Sequence, residues 1–140
     1  MPGFAGTASE ANPSFDNWTK QIADFIHNEK IEKPILIGHS MGGGLALNIA
    51  STQANLVKSI VVVDALPCLT AIYNPNFQSR KISDDEFAKA GAQLLGMGEE
   101  QFRRQAYISA VSLTTDSLRY DELVKWSLTS DRQTYAKMYY

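Results

Sequence analysis

One short segment constrains the fold more than any other. Residues 34–38 read Pro-Ile-Leu-Ile-Gly, an apolar run of strand length, and His39, Ser40, Met41 and Gly42 follow at once. From Met41 onward the sequence is rich in alanine, with leucine and isoleucine at helical spacing. A strand that passes directly into a helix through Gly-x-Ser-x-Gly predicts a sharp turn with the serine at its apex.

The elements on either side of this turn predict a parallel sheet. A helix is expected from Ser14, its N-cap, to near Lys30, because apolar residues recur there at helical spacing. Residues 58–64 form a second apolar strand, and a strand–helix–strand unit of this length is a parallel crossover. Neither strand alternates polar and apolar residues, so we expect both to be buried on both faces.

The second half of the chain has a different pattern. No strand is predicted after Ala65, whereas acidic residues open predicted helices at positions 84 and 99, where they suit the positive end of the helix dipole. Residues 121–128 and 131–140 are two more helical candidates. We therefore predict a partial α/β core over residues 1–66 and an all-helical segment over residues 67–140.

Ser40 is the candidate nucleophile. A serine hydroxyl reacts only when it is held in the open beside a base and beside donors for an oxyanion. The turn strains the serine backbone and crowds the residues two before and two after it, so we expect glycine to be needed at both Gly38 and Gly42. The backbone N–H of Met41, at the helix N-terminus, is the candidate oxyanion donor. The alternative is a closely packed glycine-rich turn without chemistry.

Composition argues against several other classes of function. The 13 basic and 15 acidic residues are mixed along the chain without a basic block, which argues against a nucleic-acid partner. No apolar stretch reaches the roughly 18 residues that a membrane span needs. The one cysteine, Cys68, cannot form an internal disulfide, and the two histidines, His27 and His39, are not at metal-ligand spacing. No Lys-Ser/Thr pair follows the glycines, so a phosphate loop is excluded.

These residues resemble the α/β-hydrolase family, in its serine-dependent branch of esterases and lipases. Residues 2–7 resemble the loop after the fourth strand of that family, residues 34–64 resemble the segments around its nucleophile, and the helices resemble its lid. The resemblance implies an enzyme in which Ser40 attacks a carboxylic ester or related acyl bond of a small, apolar substrate. It implies no cofactor and no metal.

Members of this family carry their catalytic residues in the order serine, acid, histidine. No histidine follows Ser40 in this chain. The resemblance makes His39 part of the turn, and His27 is interpreted as a partly exposed helix residue. Asp64, at the end of the second strand, is the candidate acid. We expect further segments of the fold before Met1 and after Tyr140, with the histidine among them, which leaves the cellular compartment open.

Two functions remain as alternatives. The first is a serine hydrolase. The second is a binding module or inactive remnant of the same fold that holds an apolar ligand in a cavity under the helices. Both predict that apolar side chains wall a pocket, and the candidates are Leu66, Phe77, Phe87, Phe102, Tyr107 and Trp126.

Overall fold

A computed structural model describes residues 1–66 and 84–139, together with Asn74, Asn76 and Gln78; Cys68 and Phe77 lie outside the described residues. The chain divides into two compact units. One comprises residues 14–80, and the other comprises residues 1–13 with residues 81–140. The N-terminal loop therefore belongs with the helices, whereas the sequence analysis grouped it with the strands.

The unit of residues 14–80 contains the predicted elements in the predicted order. Ser14 caps the first helix, because its Oγ accepts a hydrogen bond from the Asn17 N–H at 3.1 Å. The elements are α1 (Phe15–Asn28), β1 (Ile35–His39), α2 (Met41–Thr52), a short 3₁₀ turn (Ala54–Leu56) and β2 (Ser59–Val63). The boundaries of the two strands lie within a residue of the predicted ones, and α2 begins at Met41 as predicted.

The two strands pair in parallel, as expected of a crossover unit, in a register that aligns Ile35 with Ser59 and His39 with Val63. Helix α2 packs against one face of the pair. A Cβ added to Gly43 would lie 3.1 Å from Val62 Cγ1 and 2.6 Å from the Ala65 Cβ, so glycine is what lets this helix approach the sheet.

The expectation that both strands are buried on both faces is wrong. Ile37 is 74% exposed and Val61 is 45% exposed, and Ile35 and Val63 on the same face are also exposed. The physical reason is that α2 covers only the opposite face. An apolar strand sequence indicates that the strand is suited to burial, but it does not indicate which element covers each face.

The core of this unit is formed by α1, by α2 and by the segment that leads into β2. Its buried apolar side chains are Trp18, Ala23, Ile26, Leu45, Ala46, Ile49 and Val57. Asn48 Nδ2 donates a hydrogen bond of 3.0 Å to the Thr19 Oγ1, which links α2 to α1. A Cβ on Gly44 would lie 3.1 Å from the Phe15 ring, so this glycine allows α1 to come close.

The other unit combines the loop of residues 1–13 with helices in residues 84–139. All four predicted helices are present, and they are α3 (Asp84–Leu95), α4 (Glu99–Leu113), α5 (Tyr120–Leu128) and α6 (Arg132–Tyr139), with a 3₁₀ turn (Ser117–Arg119) before α5. Leu94, Phe102 and Ala136 form one buried cluster between α3, α4 and α6. Ala106, Ala110 and Val124 form a second cluster between α4 and α5.

Arg132 ties the start of α6 to the turn between α3 and α4. Its Nη1 donates to the Met97 carbonyl at 2.6 Å, and its guanidinium carbon lies 4.4 Å from the centre of the Phe102 ring. The ring of Tyr135 meets Phe102 edge to face at 6.1 Å. A guanidinium that both donates to a carbonyl and stacks on an aromatic ring has little freedom, so this contact fixes the orientation of α6 within its unit.

Asp131 caps α6 and makes the stability of this unit depend on pH. Its Oδ1 accepts hydrogen bonds of 2.8 Å from the N–H and from the Oγ1 of Thr134. The N–H bond, and then the hydroxyl bond, hold the pKa of Asp131 below its usual value, against partial burial, which raises it. This stabilisation is therefore complete above the ordinary aspartate pKa, and it is lost as the pH falls through the lowered value.

We expect Asp131→Ala to lower the free energy of unfolding at pH 7 by about 1 kcal/mol, the usual cost of a lost helix cap. Asp131→Asn keeps an acceptor without the charge, so it should retain most of the cap but lose the dependence on pH. Urea unfolding at pH 7 and below the aspartate pKa measures both effects. A wild-type protein that becomes more stable on acidification across this range, relative to Asp131→Asn, would contradict this prediction.

Candidate active site

The turn between β1 and α2 holds Ser40 in a strained conformation. Its backbone has φ 51° and ψ −122°, a region that residues with side chains rarely adopt. The Ser40 N–H donates to the Val63 carbonyl at 2.9 Å, and its carbonyl accepts from the N–H of Gly43 at 2.9 Å. Ser40 is exposed, and its side chain makes no capping bond to the helix. The backbone bonds therefore keep the hydroxyl at an open apex.

Gly38 and Gly42 do not have the same role in this turn. A Cβ on Gly38 would lie 2.1 Å from the carbonyl oxygen of Gly42, so the turn cannot close with any side chain at position 38. A Cβ on Gly42 would meet no described atom within 4 Å. The expectation that crowding requires glycine at both positions is thus wrong for Gly42. The crowding is real, but it falls between position 38 and the backbone of position 42.

Met41 is the first residue of α2. The first N–H groups of a helix have no carbonyl partner inside the helix, and they carry the positive end of its dipole. The Met41 N–H follows Ser40 directly, which is where a donor to an oxyanion formed by attack of Ser40 is required. Met41 itself is half-buried.

The structure brings His39 and Asp64 together at the ends of the two strands. His39 Nε2 lies 3.9 Å from Asp64 Oδ2, and the two side chains are 65% and 89% exposed. The pair is therefore held weakly in water. Asp64 also has a positive φ of 49°, and it directly follows Val63, the residue that bonds to Ser40. The sequence carried a signal for this conformation, because aspartate tolerates positive φ better than most residues.

The remaining residues singled out in the sequence, a histidine and the candidate pocket residues, differ in their exposure. His27 is exposed in the last turn of α1. Phe102 is 3% exposed and belongs to the helical core, whereas Leu66, Tyr107 and Trp126 are 53%, 50% and 41% exposed. The side chain of Phe87 lies outside the described residues. Phe102 is therefore a core residue, and the exposed three remain open to contact with other groups.

Residues 1–66 and 84–139 contain neither a three-residue group suited to a metal ion nor a helix suited to spanning a membrane. Within those ranges no three His, Cys, Asp or Glu side chains are grouped closely enough to hold a metal ion. No helix in the same part of the chain has the length and apolar character needed to cross a bilayer.

The comparison with known families settles the relationship that the turn suggests. A sequence model of the alpha/beta hydrolase family matches residues 1–139. The chain belongs to the alpha/beta hydrolase family. Its fold is a partial α/β-hydrolase fold, with a short parallel sheet and several helices.

Relatives of this chain include a diacylglycerol lipase and a pheophytinase. The sn-1-specific diacylglycerol lipase ABHD11 of Danio rerio is 41% identical over 66 residues, which are 47% of this chain and 20% of that protein. The chloroplastic pheophytinase of Arabidopsis thaliana is 38% identical over 63 residues, which are 44% of this chain and 13% of that protein. The matched regions thus span a fifth or less of these two relatives.

Solved structures show the same fold over nearly the whole chain. A carboxylesterase structure from Nitrososphaera gargenis has a TM-score of 0.66 at 15% identity and covers 98% of this chain and 49% of its own. The N-acyl homoserine lactonase AidH has a TM-score of 0.64 at 13% identity and covers 99% of this chain and 47% of its own. The chain therefore spans about half the length of these structures.

Proposed function

We propose that the chain is part of a serine hydrolase that cleaves a carboxylic ester or related acyl bond, with Ser40 as the nucleophile. The observation that carries the proposal is the backbone of Ser40, which is held at φ 51° and ψ −122° by hydrogen bonds to β2 and α2. Strain of this kind persists only where the surrounding structure imposes it, and it is typical of functional sites.

The chemistry follows from the positions around Ser40. The hydroxyl attacks the carbonyl carbon of the ester, and the N–H of Met41 donates to the oxygen that becomes negative. A histidine takes the serine proton and passes it to the leaving alcohol, and water then releases the acyl group. The proposal needs no metal and no cofactor.

The histidine of this scheme is proposed to lie outside these 140 residues, because no histidine follows Ser40. Asp64 is our candidate for the acid within the chain, because it ends the strand that neighbours Ser40. The exposed face of β1 and β2 supports the proposal that further segments of the fold complete the sheet and its covering. We propose an apolar ester as the substrate, with the helices acting as a lid.

One observation favours the alternative of a binding module. No histidine follows Ser40 within these 140 residues, so the chain by itself is expected to hydrolyse esters slowly or not at all. A non-catalytic protein would use exposed apolar residues such as Tyr107 and Trp126 to hold an apolar ligand.

The test uses the protein expressed from the longest reading frame that contains these residues. We expect it to hydrolyse p-nitrophenyl esters, with a preference among acyl chain lengths that an apolar pocket imposes. The same protein is titrated with an apolar fluorescent dye. Dye binding without hydrolysis of any ester in the series would support the binding module and overturn the enzyme proposal.

A further inference from the structure

The first residues of the chain are bonded to the junction between α5 and α6. The Gly6 N–H donates to the Thr129 carbonyl at 3.2 Å, and the Asp131 N–H donates to the Gly3 carbonyl at 2.7 Å. The Ala5 N–H donates to the Ser130 Oγ at 3.0 Å across 125 positions of sequence. We call residues 1–8 and 129–135 the clasp. Its bonds run in both directions between the two segments, so neither can move away without breaking them.

Gly3 is the tightest point of the clasp. It has φ +80°, and a Cβ added there would lie 2.7 Å from Thr134 Oγ1 and 2.8 Å from Thr134 Cγ2. Thr134 is completely buried, and Asp131 Oδ1 accepts a bond from its hydroxyl, so this side chain cannot rotate away freely. Gly3 therefore fits against Thr134 only because it has no side chain.

Further hydrogen bonds and ring contacts join the clasp to the rest of its unit. The Ser130 Oγ that accepts from Ala5 also donates to the Trp126 carbonyl in α5 at 2.8 Å. The first segment is itself folded, because the Gly3 N–H donates to the Ala8 carbonyl at 2.9 Å. The Phe4 and Tyr135 rings lie 6.0 Å apart, and Tyr135 in turn contacts Phe102 in the helical core. The clasp is thus continuous with that core.

We infer that the clasp is a conformational device that makes residues 1–8 open and close with helices α3–α6, as one cooperative unit distinct from residues 14–63. The inference rests on the bonds between Gly3, Ala5, Gly6 and the 129–134 segment, and on the grouping of residues 1–13 with residues 81–140. It does not depend on Ser40 being a nucleophile. Local opening of this kind follows contiguous packed units rather than position in the sequence.

The chain offers a matched pair of variants for the test. Gly3 and Gly6 have φ of +80° and +81°, so alanine is strained to the same degree at both positions. They differ in contact, because the nearest atoms to a Cβ on Gly6 are those of Thr129 at 3.9 Å. The difference between Gly3→Ala and Gly6→Ala therefore isolates the contact with Thr134.

The experiment is hydrogen exchange of the full 140-residue chain, followed by mass spectrometry. In the wild-type protein, peptides from residues 1–8 and 129–135 should exchange at the rate of the helical core. Gly3→Ala should accelerate exchange in the clasp and in α3–α6 by about tenfold or more relative to Gly6→Ala. Both variants strain the backbone, but only Gly3→Ala also overpacks the contact with Thr134. Peptides from residues 14–63 should change by less than about twofold, since these residues belong to the other compact unit.

A third variant keeps the test decisive if Gly3→Ala does not fold. Ser130→Ala removes the acceptor of the Ala5 N–H without adding an atom, and it should accelerate the same peptides by about fivefold, the effect of one hydrogen bond. Equal exchange in Gly3→Ala and Gly6→Ala would overturn the inference. The inference would also be overturned if, in either Gly3→Ala or Ser130→Ala, hydrogen exchange in residues 14–63 accelerated as much as exchange in the clasp.

Discussion

Replacing Gly38 with alanine should prevent the turn at Ser40 from closing. The added methyl group would lie 2.1 Å from the Gly42 carbonyl oxygen and 2.6 Å from the Gly43 nitrogen, both of which are backbone atoms. Backbone cannot rotate aside as a side chain does, so β1 and α2 must separate. We expect a loss of about 3 kcal/mol or more in the free energy of unfolding, at or beyond the upper end of overpacking effects.

Gly42→Ala is the matched control for this prediction. It adds the same methyl group two residues after Ser40, where no described atom lies within 4 Å. Position 42 is inside α2, and alanine favours a helix over glycine by about 1 kcal/mol, so this variant should be neutral or more stable. Urea unfolding followed by circular dichroism compares the two variants. Equal stability of Gly38→Ala and Gly42→Ala would show that the turn does not have the proposed geometry.

Ser40→Ala should abolish ester hydrolysis by the protein expressed from the longest reading frame. Removing the serine of a catalytic triad lowers kcat by on the order of 10⁶, because no other group can form the acyl intermediate. Ser51→Ala is the matched control, since Ser51 is an exposed serine whose Oγ donates to the Asn48 carbonyl in α2. Steady-state kinetics with a p-nitrophenyl ester should give the control an unchanged kcat.

Replacing Ser40 with glycine tests the backbone strain at this position separately from the reaction of its hydroxyl. Ser40→Gly should be as inactive as Ser40→Ala, but more stable than the wild-type protein by about 1–2 kcal/mol, because glycine adopts the observed backbone angles without strain. The stability gain is measured by urea unfolding. A Ser40→Gly variant that hydrolyses esters at the wild-type rate would exclude Ser40 as the nucleophile.

The sequence predicts the elements of this fold well because their signals are local. Ser14 caps α1 through an N–H three residues away, and the acidic residues at positions 84 and 99 mark the starts of α3 and α4. The apolar runs at 34–38 and 60–63 similarly predict the two strands, and the short crossover between them predicts their parallel pairing. Each of these signals depends on residues that are neighbours in the chain.

The contacts that the sequence did not predict join distant residues or depend on what covers a surface. Nothing in the sequence of residues 1–8 indicates the three bonds to Thr129, Ser130 and Asp131, because two of them join backbone groups that every sequence carries. The exposed face of Ile37 and Val61 is apolar in sequence, and only the position of α2 shows which face is covered. The sequence also does not distinguish Gly42 from Gly38, because both match the motif. Only the atomic positions show that a side chain would clash at position 38 and not at position 42.

For the candidate site, the sequence indicated Ser40, Met41 and Asp64, and the structure adds their backbone geometry. The strain at Ser40 and the positive φ at Asp64 occur at the ends of neighbouring strands. The contact between His39 and Asp64 was not expected, because it depends on the register that aligns His39 with Val63.

The most direct test of the central claim is to locate the covalent adduct of a fluorophosphonate probe by peptide mass spectrometry. Such probes react with serines that are activated as nucleophiles. In the protein expressed from the longest reading frame, we predict one adduct per molecule, on Ser40, and none in Ser40→Ala. An adduct on a different serine, or ester hydrolysis without any adduct on Ser40, would contradict the claim that Ser40 is the nucleophile of a hydrolase.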